Sequence, residues 1–157
     1  MTLGTVEKMS ANVNSLTANL RKALAETKIE TAKAQTFHWN VQGMAFAPLH
    51  ALFQEIYEDH FEAEDVIAER LKSIGQSANG SLSVTLATSE LAESDAELKA
   101  SEMVAVLADD QRHLSATMAS LAKAAEAEDD IVTTDMATQR AQAHDKFAWM
   151  LSAHLGE

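Results

Sequence analysis

Residues 47–75 read APLHALFQEIYEDHFEAEDVIAERLKSIG. Pro48 and Gly75 bracket the run and neither residue type recurs inside it. Proline is tolerated in a first helical turn, where its missing N–H has no partner to lose. Glycine just past a last turn takes the left-handed conformation that closes a helix. The pattern predicts one helix from about Ala47 to Ile74. Along it His50, Gln54, Glu58, Glu62, Asp65 and Glu69 fall at intervals of 4, 4, 4, 3 and 4, so all six share one polar face. Like charges at such spacing repel by a few tenths of a kcal/mol per pair. A solvated outer face is the usual meaning of such a stripe. Cations held along it are the other.

Four long helices account for most of the chain. The first is predicted from about Val6 to Trp39, with Val6, Met9, Val13, Leu16, Leu20 and Leu24 as its apolar stripe. Residues 76–93, QSANGSLSVTLATSELAE, break the pattern and read as a crossover with a short helix near Ser89–Glu93. Ser94 or Asp95 is the expected cap of the next helix, whose stripe of Val104, Leu107, Leu114, Met118 and Leu121 is broken by Gln111. Glu126–Asp130 reads as a turn, and the last helix as Ile131 to Leu155. A long crossover lets the second and third long helices run parallel. The expectation is a single all-α domain over 1–157: a ferritin-like four-helix bundle whose crossover, between helices 2 and 3, carries a short helix.

Composition agrees. The chain has 157 residues, one proline, five glycines and 46% hydrophobic content, enough for a helical core. It has no cysteine, which removes disulfides, thiolate metal sites and cysteine nucleophiles and fits a reducing compartment. No leader-like apolar region or membrane span is visible, so the expected location is the cytoplasm. The net charge of −12 opposes broad nucleic-acid binding, favours cations as partners, and also serves solubility.

His38-Trp39-Asn40 ends the first helix, close in sequence to His50. Histidines beside a carboxylate-bearing face raise the question of a metal. From His50 to Asp65 a helix rises about 22 Å, far beyond the roughly 2–2.6 Å reach of a ligand. These residues can share an ion only if a second copy supplies half of it. Two copies of the helix laid antiparallel about a two-fold axis near Glu58 bring His50 of one beside Asp65 and Glu69 of the other. An isologous pair then has two identical sites of two imidazoles and two carboxylates, suited to iron, manganese or zinc. Intrasubunit di-iron bundles use paired Glu-x-x-His motifs. None occurs here: position −3 holds Gln35 before His38, Ala47 before His50, Tyr57 before His60 and Asp110 before His113.

At these residues the chain resembles the Dps family, ferritin-like DNA-binding proteins from starved cells. The likeness runs through Thr36-Phe37-His38-Trp39-Asn40-Val41-Gln42-Gly43, Phe46, Leu49-His50, Leu52-Phe53 and Asp65-Val66-Ile67-Ala68-Glu69-Arg70, then His144-Asp145-Lys146-Phe147-Ala148-Trp149-Met150-Leu151. The resemblance implies a homo-oligomeric shell of twelve subunits. Such shells oxidise Fe(II), usually with hydrogen peroxide, at ferroxidase sites across two-fold interfaces, and store the ferric product as protection against oxidative damage. It implies His38 and His50 as ligands from one subunit and Asp65 and Glu69 from its neighbour, with non-haem iron as the metal. Many members carry an aspartate where this chain has Gln54, and an amide binds iron more weakly than a carboxylate. Two irons, each giving one electron, reduce one peroxide to water without releasing hydroxyl radical.

Other residues have two readings each. Trp39, placed near the iron by the resemblance, can donate an electron or simply pack at an interface, and so can Tyr57. Glu55, Glu58 and Glu62 can seed mineral or form a solvated face. Glu126, Glu128, Asp129, Asp130 and Asp135 can line a pore that draws cations in, or cap a helix and complement its dipole. His60, His113, His144 and His154 share no spacing that builds a site and read as surface or packing residues. Met103, Met118, Met136 and Met150 read as core. Basic tails carry DNA binding in the resembling family. Here Lys8 is offset by Glu7 and the chain stops at Gly156-Glu157, so DNA binding is expected to be weak or absent. The competing function is a nucleoid-binding stress protein with secondary metal binding. A third possibility is an acidic helical interaction module without chemistry.

Overall fold

A computed structural model gives the fold, and it describes residues 3–157, with side chains from residue 15 onward. Five helices occur: α1 (Leu3–Asn40), α2 (Phe46–Ser73), α3 (Leu82–Thr88), α4 (Ala100–Glu126) and α5 (Ile131–His154). α1 packs against α2 and α4, α4 against α5, and α2 touches α5. The crossover after α2 lays α3 along α1. This is the expected four-helix bundle with one long connection. No described helix is long and apolar enough to cross a membrane. Val6, Met9 and Val13 of the expected first stripe, and Glu7 and Lys8, lie outside the described side chains.

The helix ends follow local chemistry. At the end of α2 the Gln76 N–H bonds the Leu71 carbonyl at 2.9 Å and the Gly75 N–H bonds Lys72 at 3.0 Å, with Gly75 at φ +81. This pair of bonds is a Schellman closure, and Gly75 is its left-handed residue as expected. Asp130 caps α5 by accepting from the Thr133 N–H at 3.0 Å.

Two boundaries differ from expectation. The short helix lies at Leu82–Thr88 rather than Ser89–Glu93. Thr85 is buried and anchors it, and Ser89 turns to an extended conformation with ψ 136, where its Oγ closes a local bond with Leu91. α4 begins at Ala100, not after Ser94 or Asp95. Asp95 instead accepts from the Glu97 N–H at 2.9 Å, a turn of its own, while the Lys99 N–H bonds Glu102 Oε2 at 2.8 Å to start the helix.

The core is divided. One apolar cluster holds Phe37, Leu52, Phe53, Ile56, Met103, Leu107 and Leu151. Another holds Leu20, Leu24, Ile67, Leu71, Met118 and Leu121. Met103 and Met118 are fully buried, and Met136 and Met150 pack partly buried against these clusters. Between the clusters runs a buried polar layer of Glu26, Glu30, His60, Gln111, Thr117 and His144.

Candidate metal centre

The loop of residues 41–45 folds the last turn of α1 onto the first turn of α2, and so brings His38 to His50. Their rings stack with centroids 3.7 Å apart and planes 18° from parallel. His38 Nδ1 lies 2.7 Å from the His50 carbonyl oxygen, and His50 Nδ1 lies 2.7 Å from the His38 carbonyl oxygen. A carbonyl only accepts, so each Nδ1 must carry the hydrogen. This pair of reciprocal bonds fixes both tautomers and leaves Nε2 of each ring as the atom with a lone pair to give. Holding the far N–H of an imidazole on an acceptor is what orients a metal-ligating histidine and raises its basicity. Tyr57 meets His38 edge-on at 5.2 Å and Phe46 stacks on His50 at 5.0 Å, so the pair is braced on both sides. His38 is buried and Trp39 beside it is 69% exposed.

Asp65 and Glu69 stand exposed on α2. They share that helix with His50, and the rise of about 22 Å keeps them from the imidazoles of their own chain. The one chain brings together His38 and His50, and leaves the two carboxylates at the far end of the same face. Glu55, Glu58 and Glu62 are also exposed. Gln54, where a carboxylate would be a stronger ligand, donates to Glu58 Oε1 at 2.7 Å.

Of the acids around the last turn, Asp130 is committed elsewhere. It caps α5 and pairs with Arg70 Nη2 at 2.8 Å, and these partners hold its carboxyl below the usual range despite partial burial. Asp135 accepts from Gln139 at 2.7 Å. Asp129 adopts φ +57 in the turn, a left-handed conformation that aspartate tolerates.

Two histidines read as packing residues prove to organise the bundle interior. Gln111 is fully buried. Its Nε2 donates to Glu30 Oε1 at 3.0 Å and lies 3.0 Å from His60 Nε2, and its Oε1 lies 2.7 Å from His144 Nδ1. His60 Nδ1 donates to Asp59 at 3.0 Å, and Arg140 grips the same carboxylate through two bonds. Burial pushes both imidazoles below the ordinary range, His144 the further, and raises Glu30 well above the carboxylate range. His154 is exposed. His113 is half-buried and pairs with Glu26 Oε1 at 2.9 Å.

A ferritin-like domain family matches residues 17–157. The DNA protection during starvation protein of Brevibacillus brevis is 32% identical over 148 residues, covering 94% of this chain and 99% of that protein. The crystal structure of a Dps protein from Bacillus brevis superposes with a TM-score of 0.89 at 30% identity, covering 92% of this chain and 97% of the other. The Dps protein of Vibrio cholerae O1, described as one of a broad superfamily of ferritin-like diiron-carboxylate proteins, gives a TM-score of 0.87 at 26% identity, over 92% and 91% of the two chains. The chain therefore belongs to the ferritin-like family, and within it to the Dps proteins.

Proposed function

We propose that this protein oxidises Fe(II), with hydrogen peroxide as preferred oxidant, and stores the ferric product inside a cytoplasmic shell of twelve copies. The oxidation site takes His38 and His50 from one copy and Asp65 and Glu69 from its neighbour. The observation that carries the reading is the reciprocal bonding of the two Nδ1 atoms to backbone carbonyls. It leaves two Nε2 lone pairs side by side, with no carboxylate in reach among the described residues of their own chain. Iron enters as substrate. Imidazoles accept Fe(II), and hard carboxylates stabilise Fe(III) over Fe(II), so the set drives the electron outward. Two Fe(II) ions give two electrons, and one hydrogen peroxide with two protons becomes two waters. With Gln54 in place of an acid, the second iron is held by water and binds weakly. Glu55, Glu58 and Glu62 offer exposed carboxylates for ferric nucleation. Glu126, Glu128, Asp129 and Asp135 are left to draw cations toward a pore, Asp130 being neutralised by Arg70. Trp39 stands beside the site as a sacrificial electron donor.

Fe(II) oxidation by stoichiometric peroxide, followed by absorbance in wild type and in Asp65→Ala/Glu69→Ala, tests the site, with light scattering on both. Fast oxidation that is lost in a still-assembled variant is the expected result. Equal rates would sink the proposal.

The names of relatives such as that of Brevibacillus brevis favour a second reading, direct DNA binding. The charge of −12 per chain weighs against it, since affinity for the duplex rests on cations that neutralise phosphates. A gel shift without divalent metal is expected to show no complex at moderate salt, and a tight complex there would reverse the preference.

A further inference from the structure

Glu26, Glu90 and His113 lie outside the site above. They come from α1, the crossover and α4, and each offers one ligand atom, all within 4.8 Å of one another. Among the described residues this is the one such grouping of three. We propose that it binds a divalent first-row metal ion, with Zn(II) the best match, in a site that pins the crossover to the bundle.

The centre is Glu26, a carboxylate with no exposed surface. Its Oε2 is held by the Thr117 hydroxyl at 2.6 Å, which aims Oε1 outward. Three positive or hydrogen-bearing groups converge on that Oε1: His113 Nε2 at 2.9 Å, the Glu90 N–H at 3.4 Å and the Lys22 ammonium at 3.8 Å. Lys22 also reaches Glu90 Oε2 at 2.9 Å, so its ammonium bridges two carboxylates where a cation belongs. A metal replaces the proton shared by His113 and Glu26 and displaces the part-exposed Lys22 side chain. A 2.9 Å separation of nitrogen and oxygen is near that of two ligands on one ion at bond lengths of about 2.0–2.2 Å.

The site is also pre-positioned. Leu91, next to Glu90, is buried against Ile29 and Leu114, which lie one turn from Glu26 and one residue from His113. One imidazole, two carboxylates and an open fourth position suit Zn(II) better than Mg(II), which prefers oxygen alone. Twelve residues of α1 separate Glu26 from His38, about 18 Å, so the two sites are independent.

The test is Zn(II) titration of the assembled protein against a chromophoric chelator, in a His50→Ala/Asp65→Ala/Glu69→Ala background. One Zn(II) per chain is expected, with affinity reduced at least tenfold by His113→Ala and by Glu90→Gln. Glu90 is exposed, so its substitution leaves the fold intact. Lys22→Met should tighten binding by removing the competing ammonium, an effect no purely structural ion pair would give. Affinity unchanged in both His113→Ala and Glu90→Gln, or no binding by the background protein, overturns the proposal.

Discussion

A site divided between two copies makes a quantitative demand on mixed assemblies. His38→Ala/His50→Ala removes one half of every site, and Asp65→Ala/Glu69→Ala removes the other, so each variant alone should be inactive. In a mixed dimer the imidazoles of the second variant meet the carboxylates of the first, and one site is whole while its symmetry mate lacks everything. With equal co-expression and random pairing, half the dimers are mixed and half of their sites are intact, so about one quarter of wild-type sites return. Asp65 and Glu69 are exposed, so their loss spares the fold, whereas His38→Ala/His50→Ala also removes both Nδ1 donors and the ring stack, so light scattering must show that this variant still assembles. The assay is the initial rate of peroxide-driven Fe(II) oxidation by shells co-purified on two affinity tags, one on each variant, corrected for subunit ratio. Recovery near one quarter supports sharing. Absence of recovery in shells proven to contain both chains would refute it, because ligands that all belong to one chain cannot be complemented.

Other consequences concern stability. Gln111→Leu strands Glu30 Oε1, His60 Nε2 and His144 Nδ1, buried groups worth about 1–3 kcal/mol each, partly offset by added apolar burial. A Tm lowered by about 5–15 °C is expected by circular dichroism at fixed subunit concentration, and a shift under 2 °C would contradict the account. Asp130→Ala removes the cap of α5 and unpairs Arg70, at a cost of about 2 kcal/mol, and calorimetry should show Tm falling by several degrees. Acid should destabilise the fold below about pH 6.5, the ordinary histidine value. His60 and His144 have lowered folded values, so the unfolded chain there takes up two protons that the folded chain refuses. Glu30 works in the opposite sense, since its raised value keeps a proton in the folded state that the unfolded state releases above about 4.5. Below about pH 6.5 the two imidazoles outweigh the one carboxyl, so Tm should fall between about pH 6.5 and 5.5, and a rise over that window would contradict these assignments.

The long helices were legible because their signals are local. A proline in the first turn and Gly75 past the last bounded the second helix to within one residue of Phe46–Ser73. The crossover was harder, because there tertiary burial decides between weak alternatives. Thr85 finds a buried place against α1, which sets the short helix, and Asp95 is spent on the Glu97 N–H instead of capping α4. His38 and His50 could be singled out from the sequence, but their exchange of bonds with each other's carbonyls could not. That depends on the loop angle after Asn40. The interior layer did leave a trace. Gln111 interrupts the apolar stripe of α4, but one interruption looks like noise. Only when His60, Glu30 and His144 prove to stand at the same level do four separate breaks become one network.

That layer explains why the chain places its candidate chemistry at the surface. Glu30, His60 and His144 all bind Gln111, whose amide occupies the middle of the bundle and takes up ligand atoms that an interior metal would need. The imidazoles free to ligate sit instead where two helices meet, and their complementary carboxylates lie at the other end of α2. Under the proposed arrangement α2 therefore carries His50 of one half and both carboxylates of the other, separated by about 22 Å, and neither half serves its own chain. An ion held between copies binds the pair and not the free chains, so by linkage it strengthens the pairing by the same factor that pairing strengthens its binding. Diluting the protein until dimers separate should weaken metal affinity at His38 and His50 while leaving Glu26, Glu90 and His113 unaffected, because those three belong to a single chain.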